Sequence, residues 1–433
     1  MTDRPALGRR ELIRSAVAVG GAVGLAACLD AIGEDAPKGA PPAGVADPSR
    51  LPERQHAWDD RIRHDDAGNA ELPRHQSLWY LELQEPPDAD ARVSLETALE
   101  TLDRALERSH DGLLYSLAYS PEYFDRYFAE PLPEGLDLPP ARRLSAFETP
   151  EIDRQDALLH LATDRPTLLL EVEAALRGEL DRLNGVTVET ALTDVFDLET
   201  RRTGFVGAGM PAAEASEVQG VAAGTTIPDA SPLFMGFKAG FARNQATESY
   251  VTLDRGPFAG GTTKHVSNIR QRLDDWYGEQ SYEERVMEMF SPGHAEAGLL
   301  EGAGDGLGDD SKIDRFVDDI EADASEYGRV GHAQKAARAN RDADGNVLLL
   351  RRHFESSDEG QASLHFPSLQ RGISQFEAVR QAMNGQDLTQ VSPAVRQRVN
   401  NGILEYIFTK HRGNFLVVPR SLRALPTPTG GPS

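Results

Sequence analysis

The sequence predicts an α+β fold built from two similar halves. In the first half, the apolar and aromatic residues at 77–83, 113–119 and 157–162 are typical of strands. A leucine stripe at 93–108 and an apolar stretch at 166–183 predict helices. Strand–helix–strand followed by strand–helix is the order of a ferredoxin-like unit with an antiparallel sheet.

A similar order returns in the second half of the chain. Its apolar stretches predict strands at 262–273, 362–366 and 415–418 and helices at 281–290 and 374–383. We therefore predict one ferredoxin-like domain in each half. The predicted boundaries are 76–225 for the first domain, 226–425 for the second and 426–433 for a short tail.

The composition is strongly acidic. The 433 residues include 69 acidic and 45 basic side chains, which give a net charge of −24. Charges of one sign repel one another unless salt screens them, so we predict adaptation to a very salty medium, with an ordinary acidic protein as the alternative. The excess negative charge also disfavours a nucleic-acid partner, because it repels phosphate.

The N-terminus has the features of an export signal. Arg9-Arg10, followed by a short apolar stretch at 15–27, resembles a twin-arginine (Tat) signal, and the stretch is too short to span a bilayer comfortably. Cys28 is the single cysteine, so an intrachain disulfide and a cysteine-based metal cluster are excluded. It follows Leu25-Ala26-Ala27, which resembles the lipid-attachment motif of exported lipoproteins.

These features predict a Tat signal peptide with a lipobox at residues 1–28 and a lipid anchor on Cys28. The protein would then be exported and held on the extracellular face of the cell membrane. The alternative for Cys28 is a small residue near a simple cleavage site. Residues 29–75, rich in Pro, Gly and Asp, predict a flexible tether between the anchor and the body.

The second half contains a series of short motifs in a fixed order. They are Gly236-Phe237-Lys238-Ala239-Gly240, Gly256–Gly261, Gly331-His332, Leu349-Leu350-Arg351-Arg352, Gln375-Phe376-Glu377 and the stretch Glu405–Pro419. Together they resemble the dye-decolourising (DyP-type) haem peroxidases, over roughly residues 230–425. The resemblance implies a pair of ferredoxin-like domains of the dimeric α+β barrel type, haem b as cofactor, and hydrogen peroxide and a reductant as substrates.

The resemblance also implies which residues form the site. His332 would ligate the haem iron, and Arg351 would bind the cofactor and assist peroxide cleavage on the open face. Gly236, Phe237 and Gly240 would contact the cofactor, and Glu405 would be the carboxylate behind His332. The alternatives are an ordinary surface or core histidine at 332, and a solvated strand arginine or a clamp for the haem propionates at 351.

This sequence departs from the family motif at Ala239, where the family has an acid. A methyl group cannot accept a proton, so either an acid comes from elsewhere, such as Glu214, Asp229 or Glu248, or another group replaces it. His353 lies two residues after Arg351 in a predicted strand, 347–354, so the two would share a face. His353 would then be the catalytic base, with an ordinary pKa of about 6.5; the alternative is an exposed strand histidine.

Three functions are compatible with these residues. The first is an exported haem peroxidase that oxidises an unidentified external reductant. The second is a haem-binding protein with weak or no catalysis, used in haem or iron acquisition or in sensing, and Ala239 favours it. The third is a haem-free interaction protein that keeps only the scaffold. A homo-oligomer is compatible with each of them.

Overall fold

The computed structural model describes residues 39–216, 218–219, 221, 227–300 and 310–431. The predicted signal peptide, with Arg9, Arg10 and Cys28, and the beginning of the predicted tether lie outside the described residues. In the described ranges, each helix is too short or too polar to cross a membrane.

The centre of the fold is one large sheet of ten strands. Two of the ten contain only two residues, and the other eight pair in the order β5-β7-β6-β4-β1-β3-β2-β8. Because β8 also pairs with β5, these eight close into a ring. They are β1 His75–Leu83, β2 Leu114–Tyr119, β3 Ala157–Thr163, β4 Phe196–Phe205, β5 Thr262–Gln271, β6 Phe354–Ser356, β7 Ser363–Gln370 and β8 Ile407–Val417.

Each half of the ring has the strand order of a ferredoxin-like unit. The first half is ordered β4-β1-β3-β2 and the second β8-β5-β7-β6, which is the same arrangement in each case. The halves join at two edges, where Glu355 in β6 pairs with Phe205 in β4, and Leu416 in β8 pairs with Tyr119 in β2. The predicted fold class, α+β with two ferredoxin-like domains of the dimeric α+β barrel type, is therefore confirmed.

Helices and short strands cover the ring. The α-helices are α1 Ala89–Ala105, α2 Pro121–Tyr127, α3 Pro166–Leu176, α4 Met210–Glu214, α5 Glu248–Val251, α6 Leu273–Gly278, α7 Tyr282–Met289, α8 Pro292–Ala297, α9 Ile320–Glu326, α10 His332–Ala339, α11 Ile373–Ala382 and α12 Leu388–Val391. The two-residue strands are Arg63–His64, Ala70–Glu71, Glu151–Ile152, Arg182–Leu183, Val186–Thr187 and Leu350–Arg351.

The alternation of side chains in β1 shows how the ring separates two cores. Trp79 and Leu81 pack in the outer core under the helices of the first half, whereas Leu78 and Tyr80 pack in the cluster inside the ring. Residues of a strand alternate between its faces, so one run of apolar residues contributes side chains to both cores. This is why the strand is buried along nearly its whole length.

Polar contacts inside the ring connect the two halves. Lys264 on β5 donates a hydrogen bond to Nδ1 of His160 on β3, at 3.1 Å. Nε2 of His160 lies 2.7 Å from Oε1 of Gln76 on β1. All three side chains are buried, so the pairing of the halves depends on polar as well as apolar contacts.

The structure differs from the sequence predictions in several elements. The helix predicted at 166–183 ends at Leu176, because Gly178 adopts a left-handed φ of +70°. The strand predicted at 347–354 is divided into Leu350–Arg351 and β6. Strand β4 was not predicted, because its charged and polar residues conceal the apolar pattern.

The predicted tether is corrected over its second part. Gln55 and Trp58 are buried, and the Nε2 of Gln55 donates hydrogen bonds to the carbonyls of Leu117 and Val418 at 3.1 and 2.9 Å. The indole of Trp58 also stacks under the guanidinium of Arg352, 4.3 Å from the ring centre. Hydrogen bonds to the folded body begin earlier still, at the carbonyls of Pro41 and Pro42, so the chain is part of that body from about residue 41.

Candidate functional site

Two adjoining cavities lie mainly in the second half, over the outer face of the sheet; helix α10 lines both, and helix α11 lines the larger. The larger has a volume of about 510 Å³ and the smaller about 200 Å³. His332 and Arg351 border both cavities. The structure thus brings together the two residues that the sequence analysis placed at the centre of the site.

His332 is the first residue of α10, and two glycines allow its close packing. A Cβ added to Gly331 would lie 1.6 Å from the carbonyl oxygen of Phe290, so no other residue fits there. Gly402 has a left-handed φ of +64°, and a Cβ there would approach the His332 Cβ to 3.2 Å. The backbone around His332 therefore requires glycine on both sides.

The His332 imidazole is neutral and incompletely bonded. Burial lowers its pKa to about 3, and the positive charges of Lys335, Arg351 and Arg380 contribute to the shift. Its Nδ1 is buried and has no hydrogen-bond partner among the described residues. A neutral imidazole is the form that binds a metal, because a ring nitrogen then keeps its lone pair.

The structure does not place the predicted carboxylate behind His332. Glu405 lies 3.6 Å from Arg272 and 3.5 Å from Arg398, with its side chain 37% exposed. Those two arginines hold it at the protein surface, which corrects the prediction.

One turn of helix after His332, the buried Lys335 donates hydrogen bonds to the carbonyls of Met383 and Asn401, each at 2.9 Å.

Arg351 is held by neutral groups. Its Nε donates to Oε1 of Gln245 at 3.3 Å, and its Nη2 donates to the carbonyl of Asn244 at 3.1 Å. Burial lowers its pKa to about 10, so it remains a cation at neutral pH. Because no carboxylate neutralises it in the described chain, its charge is available to a ligand in the cavities.

His353 borders the smaller cavity together with Arg351. Both residues also border a third cavity, of about 700 Å³, on the side of the first half. The imidazole is only 9% exposed and its buried Nδ1 has no partner in the described residues. Burial, with a smaller contribution from the charge of Arg351, lowers its pKa to about 3, so it does not titrate near pH 6.5 as an exposed histidine would.

The glycine-bounded motif at 236–240 is a tight loop at the edge of the smaller cavity. Gly236 and Gly240 have left-handed φ values of +90° and +81°. Phe237, Ala239 and Gly240 border the cavity, whereas Gly236 lies against the hydroxyl of Tyr277, 3.0 Å from an added Cβ. Of the three motif residues predicted to contact a cofactor, Phe237 and Gly240 are thus placed to do so.

The acids proposed as substitutes for the one missing at Ala239 lie elsewhere. Glu248 accepts a hydrogen bond from the backbone of Asp59 at 3.0 Å and pairs with Arg352. Glu214 accepts one from the hydroxyl of Ser357, and Asp229 is exposed. An acid that the sequence analysis missed does border the smaller cavity. It is Glu355, four residues after Arg351, and the alternation of strand faces is the signal that could have revealed it.

The larger cavity combines apolar walls with a positive end. Glu148 accepts hydrogen bonds from Arg380 at 3.0 Å and from Arg412 at 2.9 Å. Nε and Nη1 of Arg412 are nevertheless buried without a partner in the described residues. In a protein of net charge −24, this positive region suits an anionic ligand. The apolar residues include Ile269, Leu349, Phe366, Phe376, Val379, Leu404 and Phe408.

A metal held by protein side chains alone is not indicated in the described chain, where no group of three His, Cys, Asp or Glu residues could hold an ion. The larger cavity can instead take a largely apolar molecule with acidic groups, and His332 and the Arg351 cation would border it.

Comparison with known proteins gives a family and a fold. One family model matches residues 73–419, and it describes a family of unknown function, DUF7405. No curated protein has a significantly similar sequence.

Three solved structures are similar to most of the chain. The encapsulated DyP-type peroxidase from Mycobacterium smegmatis has a TM-score of 0.54 at 16% identity, with 85% of this chain and 99% of that chain covered. The DyP-type peroxidase from Cellulomonas bogoriensis has a TM-score of 0.53 at 19% identity, with 84% and 97% covered. A dye-decolorizing peroxidase from Bacteroides thetaiotaomicron has a TM-score of 0.52 at 12% identity, with 85% and 99% covered. At such identities the likeness shows the fold alone.

Proposed function

Because the chain belongs to the DUF7405 family and has the fold of DyP-type peroxidases, we propose that it binds haem b and oxidises an external reductant with hydrogen peroxide. The observation that carries the proposal is the neutral His332 at an apolar cavity, next to the unpaired charge of Arg351. A haem enzyme requires one axial base and an open face for peroxide.

The residues present fit haem. His332 would ligate the iron, because its ring is neutral and lacks a hydrogen-bond partner at Nδ1 in the described chain. Ile269, Phe366 and Phe376 would pack against the macrocycle, and the unpartnered nitrogens of Arg412 would bind a propionate carboxylate. When bound, haem would supply the redox-active iron at which the O–O bond of peroxide is cleaved.

The protein's own groups would act on peroxide in two ways. Arg351, fixed by Gln245 and Asn244, would bind and orient peroxide and stabilise the negative charge that develops on the departing oxygen. His353, neutral and buried beside it, offers Nδ1 as a proton acceptor. The low pKa makes His353 a weak base, so it would hold a proton only briefly.

A haem titration tests the proposal. Folded protein in high salt, mixed with ferric haem, should give the Soret absorption of a histidine-ligated ferric haem that saturates at one haem per chain. Hydrogen peroxide with a small reducing dye should then give turnover. The absence of a Soret band would reject the proposal and favour a haem-free interaction protein.

The second candidate is a haem-binding protein with weak or no catalysis. Two observations favour it: position 239 is alanine, and Nδ1 of His332 has no carboxylate partner in the described residues. A carboxylate on the second nitrogen makes a ligating histidine more basic. A strong Soret band without peroxide turnover would favour this candidate over the peroxidase.

We also propose that the protein is exported by the Tat pathway and lipid-anchored on the extracellular face of the membrane, as its N-terminal sequence suggests. Cys28→Ala should move the protein from the membrane fraction to the soluble fraction or block its processing. Replacing Arg9 and Arg10 with lysine should stop export. Export of that double variant at the wild-type level would contradict the Tat assignment.

A further inference from the structure

The smaller cavity contains an acid that the proposed function does not yet use. Glu355 lies on β6, and its side chain is 0% exposed. Its neighbour Phe354 packs inside the ring, so the alternation of the strand turns Glu355 outward. Glu355 therefore borders the same cavity as Arg351 and His353.

Both hydrogen bonds to the Glu355 carboxyl group come from neutral donors. The backbone N–H of Phe234 donates to Oε2 at 2.6 Å, and Nε2 of Gln271 donates to Oε1 at 3.1 Å. Most other deeply buried acids of the described chain are paired with arginine. Asp103 lies 2.7 Å from Arg423, for example. Glu355 is thus a buried acid that no cation neutralises among the residues that the structure describes.

A buried carboxyl group in this situation favours its protonated form, because a charge without a partner is costly to bury. Burial raises the pKa of Glu355 to about 8, although the bonds from Phe234 and Gln271 lower it in part. The other titratable or charged side chains that border the cavity are Lys238, His332, Arg341, Arg351 and His353, and Tyr277 lies next to the Phe234 carbonyl.

We propose that Glu355 is the acid of this cavity, and that it exchanges its proton with a ligand bound beside Arg351 and His353, a role that Ala239 cannot fill. In the exchange, the O–H bond of the carboxyl group breaks and an O–H bond to the ligand forms, with no electron transferred. The identity of the ligand as peroxide rests on the proposed function. The proton held by Glu355 does not depend on it.

The protonation of Glu355 is measured without haem. Infrared difference spectra of the full protein, taken on either side of about pH 8, should show the loss of protonated carboxyl bands in wild type, and the band that belongs to Glu355 should be missing in Glu355→Gln. Glu288→Gln is the matched control. Glu288 is also buried, with a pKa raised to about 7, but it does not border the cavity, so its loss should leave the band of Glu355 unchanged.

Two further measurements remain if Glu355→Gln fails to fold. Gln271→Met removes a hydrogen bond that lowers the pKa, so the band should titrate at a higher pH. The pH dependence of the free energy of unfolding should also reveal the raised pKa of Glu355. The folded state keeps the proton between the ordinary value of 4.5 and about 8, so wild type should lose stability as pH rises through this window.

The role in catalysis is measured on the haem-loaded protein. Below pH 8, Glu355→Gln should slow the reaction with peroxide by at least about 10²-fold, the lower end for general acid–base assistance, and leave the Soret band in place. A titrating band together with an unchanged rate would overturn the proposal, and so would the absence of the band. Failure to bind haem would instead overturn the proposed function, while the infrared band would still decide whether Glu355 holds a proton.

Discussion

Replacing His332 with alanine should abolish haem binding. His332 is the only residue of the described chain that combines a neutral imidazole, a buried and unpartnered Nδ1 and a position on the larger cavity. Loss of a group that merely supports a metal ligand costs about 10–100-fold in affinity, so loss of the ligand should cost more than about 100-fold. Titration with ferric haem, followed by the Soret band, measures the change.

Two controls separate ligation from a general disturbance. Free imidazole added to His332→Ala should restore a histidine-like spectrum, because the alanine leaves space for the missing ring. His353→Ala should keep the Soret band, since His353 has the same low pKa and a buried, unpartnered Nδ1 in the described chain but borders only the smaller of the two cavities beside His332. An unchanged spectrum in His332→Ala would move the ligand to another residue.

The fold was predictable because its strands carry strong local patterns. Trp79 and its neighbours in β1 are apolar on both faces, and the leucines of α1 recur at helical spacing. Strand β4 lacked such a pattern, since charged residues such as Glu199 and Arg201 interrupt it. The burial of Trp58 depends on contacts made far away in sequence, which explains why its segment resembled a tether.

The site was predictable only where a motif identifies a residue. His332 and Arg351 follow glycine and leucine motifs, and the structure places both on the same cavities. Glu405 was wrongly placed, because a local motif does not show that Arg272 and Arg398 would draw it to the surface. The alternation of strand faces could have revealed the position of Glu355, but the low pKa of His353 and the raised pKa of Glu355 depend on burial, which no local pattern in a single sequence reveals.

Replacing Arg351 with leucine should slow the reaction of the haem-loaded protein with peroxide by about 10²–10³-fold, the usual cost of removing a donor that stabilises developing charge. The Soret band should remain, since His332 and the apolar walls are unchanged. Arg351→Lys should fall between wild type and leucine, because it keeps a charge but loses the planar fork that Gln245 and Asn244 orient. Stopped-flow mixing with hydrogen peroxide in high salt measures these rates.

Lys238→Met is the matched control, because Lys238 borders the same smaller cavity but is already paired with Asp65. Its loss should change the rate far less than the loss of Arg351, whose charge has no carboxylate partner in the described chain. Equal slowing in both variants would mean that the reaction responds to the total positive charge around the cavity. A fast reaction in Arg351→Leu would show that the arginine side chain serves only to bind Gln245 and Asn244.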